Sequence, residues 1–129
     1  MENTAVKMSD RKKILLIDDE KDILEVLKDY LCDEFDVYLA SCDNEAIEHL
    51  EKNSFSLVLC DYNLPGMNGE QICDYIKQKH PGTPVVFVTG DGGVSSGLSP
   101  ENKSVQILYK PIDFDLLYEI CTSFSRRTS

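Results

Sequence analysis

The sequence predicts an α/β protein, an open parallel β-sheet with helices packed around it. Three observations predict this class. Apolar runs of strand length (Lys13 to Ile17, Ser56 to Cys60, Pro84 to Val88, Val105 to Tyr109) alternate with segments of helical period. Such alternation builds βαβ units around a parallel sheet. Polar groups then follow three of the runs: Asp18-Asp19, Asp61 and Lys110. In an open parallel sheet the carboxyl ends of the strands converge on one crevice, where ligands bind.

In chain order, a polar leader (1–12) precedes the first strand, Lys13 to Ile17. The first helix carries Ile23, Leu24, Leu27, Tyr30 and Leu31 on one face. Phe35, Val37 and Leu39 alternate with polar or small neighbours, which predicts an exposed or edge strand. The second helix runs from about Asn44 to Lys52, with Ala46, Ile47 and Leu50 inward. The third strand, Ser56 to Cys60, ends at Asp61. The third helix, Gly69 to Lys79, carries Ile72, Cys73 and Ile76 and is closed by Pro81-Gly82. The fourth and fifth strands are Pro84 to Val88 and Val105 to Tyr109. The last helix begins near Asp113 and buries Phe114, Leu117, Ile120 and Phe124. A single domain over 13–125 with a short tail, 126–129, accounts for the chain. Between Thr89 and the fifth strand, four glycines, four serines and a proline leave little helix propensity.

Composition narrows the function. The 129 residues suit one hydrophobic core, and no apolar run approaches the roughly 20 residues that span a bilayer. Nothing in the leader has the apolar stretch of a signal peptide, so a cytoplasmic protein is expected. A formal charge of −10 argues against direct contact with nucleic acid or an anionic membrane. Acidic residues such as Asp33, Glu34, Glu48 and Glu51 read as a solvated face. Five cysteines, an odd count without C-x-x-C spacing, argue against a disulfide framework or a zinc site. Cys60, Cys73 and Cys121 read as small core residues, and Cys32 and Cys42 as more exposed.

Asp18, Asp19 and Asp61 would repel one another once folding gathers them. A hard divalent cation such as Mg²⁺, together with the Lys110 ammonium, relieves that repulsion. Taken singly, each residue has a plainer reading as a turn, a helix cap or a surface lysine. Taken together they read as a metal and phosphoryl site. The ordered set closely resembles the receiver domain of two-component response regulators. The resemblance rests on Asp18-Asp19, on Asp61 in Asp61-Tyr62-Asn63-Leu64-Pro65-Gly66-Met67-Asn68-Gly69, on Thr89-Gly90 and on Lys110-Pro111. It extends from about Lys13 to Phe124.

That resemblance implies a flavodoxin-like, doubly wound five-stranded sheet of order 2-1-3-4-5, with a fourth helix that is short or irregular here. It implies that Asp61 accepts a phosphoryl group from the phosphohistidine of a sensor histidine kinase or phosphotransfer protein. Mg²⁺, with Mn²⁺ as a substitute, would be held by Asp19 and Asp61, by Asp18 largely through water, and by the Asn63 backbone carbonyl. Lys110 would contact Asp61 and then a phosphoryl oxygen, aimed by a cis bond to Pro111. Thr89 would donate a hydroxyl to the phosphoryl group, and Gly90 would keep its approach open. Asn63 and Asp91, each two residues past a site residue, would tune dephosphorylation. The chain would act as a regulatory phospho-acceptor and not as an enzyme on other substrates.

One position departs from the family. An aromatic residue usually stands three before the lysine and swings inward on activation; here Ile107 stands there, stiff and without a polar tip. Tyr109 shares its face. Activation is therefore expected to act as an order–disorder change in the glycine-rich loop, which puts family-style dimerisation in doubt. The competing reading is a receiver-like interaction scaffold independent of phosphorylation. An aspartate-nucleophile phosphohydrolase would want a second carboxylate where Asn63 stands. A flavin site would place phosphate against the repelling turn Asp18-Asp19-Glu20.

Overall fold

Continuous apolar runs bury both faces of a strand, and that is what the centre of the sheet shows. A computed structural model describes residues 11–62, 64, 66, 69–90 and 105–127. Its strands are β1 (Lys13–Ile17), β2 (Asp36–Ala40), β3 (Leu57–Asp61), β4 (Val85–Thr89) and β5 (Val105–Tyr109). Its helices are α1 (Lys21–Leu31), α2 (Asp43–Lys52), α3 (Gly69–Lys79) and α4 (Phe114–Arg127). All strands are parallel, in the order β2-β1-β3-β4-β5, so the expected doubly wound sheet is present. β3 and β4 are buried at every position, whereas β2, at the edge, is buried only at Ala40. The expected short helix between β4 and β5, and Asp91 with it, lies outside the described residues.

The pleat sorts side chains into two cores. Ile14, Leu16, Leu57, Leu59, Val86, Val88 and Leu108 face α1 and α4, meeting Leu24, Leu27, Leu31, Leu117, Ile120 and Cys121. Leu15, Ile17, Val58, Cys60, Val85 and Phe87 face α2 and α3, meeting Ala46, Leu50, Ile72, Cys73 and Ile76. Each fully buried aliphatic side chain contributes about 1.5–3 kcal/mol relative to exposure. Tyr30, on the apolar stripe of α1, is 38% exposed and lays its ring 4.8 Å from Phe114. A tyrosine at a helix margin packs its ring and leaves its hydroxyl wet.

Helix ends are set locally. The Asp113 carboxylate accepts the amides of Asp115 (3.0 Å) and Leu116 (3.2 Å), an N-cap for α4. At α2 the Glu45 carboxylate reaches back to the Ser41 amide (2.7 Å) and hydroxyl (2.9 Å). The Arg11 guanidinium donates to the Cys32 carbonyl at the end of α1 (2.8 Å), where a cation also suits the helix dipole. Cys60, Cys73 and Cys121 are buried while Cys32 and Cys42 are half-buried. Burial pushes the Cys121 thiol up to about 12 and the Cys60 thiol higher still, which keeps both inert.

Two glycines bend the segment after β3. Gly66 has φ +85°, a conformation that glycine adopts at no steric cost. Gly69 opens α3 where a Cβ would stand 2.9 Å from the Phe87 ring and 3.0 Å from the Tyr62 Cα. The Phe87 ring is fully buried and the Tyr62 atom is backbone, so neither yields easily. Gly69→Ala should therefore cost about 1–3 kcal/mol of unfolding free energy, read by urea titration with the slope unchanged.

Candidate functional site

The carboxyl edge of the sheet gathers the charged residues through strand register. Ile17 pairs with Cys60, so one step further sets Asp18 beside Asp61. Thr89 pairs with Tyr109, and Lys110 follows, its amide donating to the Thr89 carbonyl at 2.8 Å. Residues 14, 16 and 18, 57, 59 and 61, and 108 and 110 share the α1/α4 side of the pleat. Lys110 can thus span the end of β4 and reach Asp61 on β3. The residue it crosses is Gly90, where a Cβ would lie 3.9 Å from the lysine stem.

Carboxylate oxygens of Asp18, Asp19 and Asp61 lie within 4.8 Å of one another. Asp18 and Asp61 are buried, at 4% and 6% exposure, and Asp19 is exposed. The Lys110 ammonium stands 3.3 Å from Asp18, 3.5 Å from Asp61 and 3.1 Å from Glu20. Thr89 is buried at the end of β4, and the Lys110–Pro111 peptide is cis. Gly90 is exposed. Asn63 and Asp91 lie outside the described residues. Ile107 is half-buried beside Phe87 in the sheet, and Tyr109 is 47% exposed.

Burial is the main cause that holds the Asp18 carboxyl above the usual carboxylate range, and the Asp61 charge adds to it. The Glu20 amide, donating to Asp18 at 2.8 Å, and the Lys110 charge pull the other way without prevailing. Burial lowers the Lys110 ammonium, but the hydrogen bond to Glu20 and the charges of Asp18 and Asp61 raise it on balance. One lysine thus leaves the cluster under-neutralised. Three hard oxygen donors with residual negative charge fit a divalent cation of the Mg²⁺ or Ca²⁺ type. Glu20 is the partner that the sequence pattern did not reveal, since it caps α1 and does not end an apolar run, and meets Lys110 only through its side chain. The only signal in the chain was its place as a third acid ahead of α1.

Comparison with known proteins assigns the class. The family model described as response regulator receiver domain matches residues 14–122, and the chain belongs to that family. It is 35% identical to the response regulator protein PilR of Pseudomonas aeruginosa over 118 residues, covering 90% of this chain and 26% of PilR. It is 38% identical to the regulatory protein VanR of Enterococcus faecium over 84 residues, 64% of this chain and 35% of VanR. The chain thus spans about a quarter to a third of the length of these relatives. A two-component response regulator from Clostridium difficile superposes with a TM-score of 0.83 at 28% identity, covering 92% of this chain and 99% of that one. The BeF₃-activated receiver domain of DrrB gives 0.80 at 25% identity over 90% of this chain and 98% of that one. The protein is a receiver domain of two-component signalling, a regulatory module, and the phosphorylation-independent scaffold is not favoured. Among the described residues no helix is long and apolar enough to cross a membrane.

Asp18→Asn keeps an oxygen for the Glu20 amide and removes one buried charge. A carboxyl held above its unfolded value costs stability once pH passes that raised value, and costs nothing below the unfolded one. At pH 7, above the unfolded value, and without divalent metal, Asp18→Asn should therefore raise Tm relative to the wild type. Melts repeated with saturating Mg²⁺ should shrink or reverse the gain.

Proposed function

We propose that Asp61 accepts a phosphoryl group from the phosphohistidine of a sensor histidine kinase or phosphotransfer protein in the cytoplasm, and that the acyl phosphate changes which partner the domain binds. The observation that carries this reading is the Lys110 ammonium between two buried carboxylates at the end of the central strand. An Asp61 oxygen attacks phosphorus, the P–N bond breaks, and its electrons return to the imidazole. Such a transfer needs positioning and charge neutralisation more than covalent help. Mg²⁺ is our assignment for the cation, with Mn²⁺ able to replace it. Asp19 and Asp61 would hold it, with Asp18 and the Asn63 carbonyl, and it would supply charge to the phosphoryl oxygens.

The remaining residues act on the product. Lys110 shifts its ammonium to a phosphoryl oxygen as a compact point charge. The Thr89 hydroxyl donates to another phosphoryl oxygen, and Gly90 leaves the approach open. We also assign Asn63 and Asp91 to orienting the water that hydrolyses the acyl phosphate.

Intact-mass measurement with a small-molecule phosphodonor should show one added phosphoryl group with Mg²⁺ and none in Asp61→Asn. Lys110→Ala should slow the reaction at least roughly tenfold, the scale of losing a charge-assisted contact. No addition to the wild type under any divalent metal would overturn the proposal. Exchanging Asn63 and Asp91 together for apolar residues should lengthen the acyl-phosphate half-life, and an unchanged decay would remove them from the hydrolytic step.

A further inference from the structure

Glu20 stands outside the four-residue account of the acidic site, yet it makes the shortest ion-pair contact of Lys110. The distance is 3.1 Å, against 3.3 Å to Asp18 and 3.5 Å to Asp61. The shortest contact is also the outermost, because the Glu20 side chain is 58% exposed whereas those of Asp18 and Asp61 are 6% and 9% exposed. The Glu20 backbone is fixed at the N-cap of α1. Its carbonyl accepts the amides of Ile23 (3.1 Å) and Leu24 (3.2 Å), and its own amide donates to Asp18 (2.8 Å). Its side chain makes no capping bond and reaches across the strand ends to the lysine instead.

An ammonium has three N–H donors and no more. Here three carboxylates surround it: the Asp61 contact passes to the phosphoryl group only after transfer, so the incoming group can be served beforehand only if Asp18 or Glu20 lets go. Asp18 is buried and would be left uncompensated, which costs far more than releasing a group that water can solvate. Glu20 is that group.

We propose that Glu20 is a positioning residue that latches Lys110 at the rim in the resting state and gives it up when Asp61 is phosphorylated. The proposal rests on the reading of Asp61 as the phosphoacceptor. The latch slows phosphorylation, because the lysine must leave Glu20 before it can neutralise the incoming group. A charge of the same sign as the phosphoryl oxygens then keeps the two states apart.

The test compares the wild type with Glu20→Gln and Glu20→Asp. Aspartate keeps the charge and loses a methylene of reach. Initial phosphorylation rates are measured across concentrations of a small acyl-phosphate donor at saturating Mg²⁺, with Asp61→Asn as the site control. Backbone NMR shifts give the Mg²⁺ half-saturation of each variant. Both variants should react faster by roughly two- to fivefold, the range of an exposed ion pair, with Mg²⁺ half-saturation unchanged. Acceleration of Glu20→Gln alone would mean that charge repels the donor and would overturn the latch. Unchanged or slower rates in Glu20→Gln, or a shifted Mg²⁺ half-saturation that accounts for the rates, would overturn it too. Hydrogen exchange of the Lys110 ammonium in unphosphorylated protein gives a readout independent of phosphoryl transfer, and Glu20→Gln should speed it. Unaltered exchange sinks the latch even if Asp61 is phosphorylated. A wild type that takes no phosphoryl group at Asp61 while exchange does quicken would sink the underlying reading instead.

Discussion

The register between β1 and β3 is the constraint on which the rest of the molecule depends. Two parallel strands paired so that Ile17 meets Cys60 put two carboxylates side by side one residue later. The pairing cannot slip by one residue, because the pleat would then turn every inward side chain of β1 onto the wrong core. Leu15 and Ile17 belong to the α2/α3 layer and Ile14 and Leu16 to the α1/α4 layer, so both layers would be lost together. Packing therefore enforces a juxtaposition that electrostatics alone would reject. The stability that holds Asp18 against Asp61 comes from apolar burial along the whole length of the strands.

Charge compensation at that edge is partial, which leaves residual negative charge for a cation. Burial and the Asp61 charge leave Asp18 raised even with the Lys110 ammonium 3.3 Å away. A fully neutralised cluster would have no use for a cation, and a fully unpaired one would oppose folding. Lys110 sits between these limits because it approaches from β5, two strands away, over a residue without a side chain. Its position follows from β4 ending in Thr89-Gly90 as much as from β5 ending in lysine.

Most of this architecture was legible in the chain because strand and helix carry different periods, and long apolar runs leave little freedom. β1, α3 and β5 have the predicted limits. β3 and β4 each begin and end one residue later than their apolar runs suggest, at Asp61 and Thr89. Backbone pairing continues past the last apolar side chain there, as the Tyr62 amide bonded to the Val88 carbonyl at 2.9 Å shows. Apolarity reports burial and hydrogen bonding reports the strand, and the two part company where the site begins. Convergence of Asp18, Asp19, Asp61 and Lys110 was readable for the same reason, since each ends an apolar run. Glu20 was not, because it begins a helix and contacts Lys110 only by side-chain reach.

Ile107 bears on how such a site can communicate. A β-branched aliphatic side chain in a strand is restricted at χ1 and has no hydroxyl to exchange between solvent and core. Tyr109, on the same face of the strand, is 47% exposed. At the edge Lys110 has three carboxylate partners, and one of them, Glu20, caps α1 through its backbone. Releasing that carboxylate would leave its charge unpaired at the N-terminal end of α1, the helix whose Tyr30 packs on Phe114 of α4. If Glu20 gives up Lys110 as proposed, the acidic cluster and the first turn of α1 are linked by a contact that needs no aromatic swing.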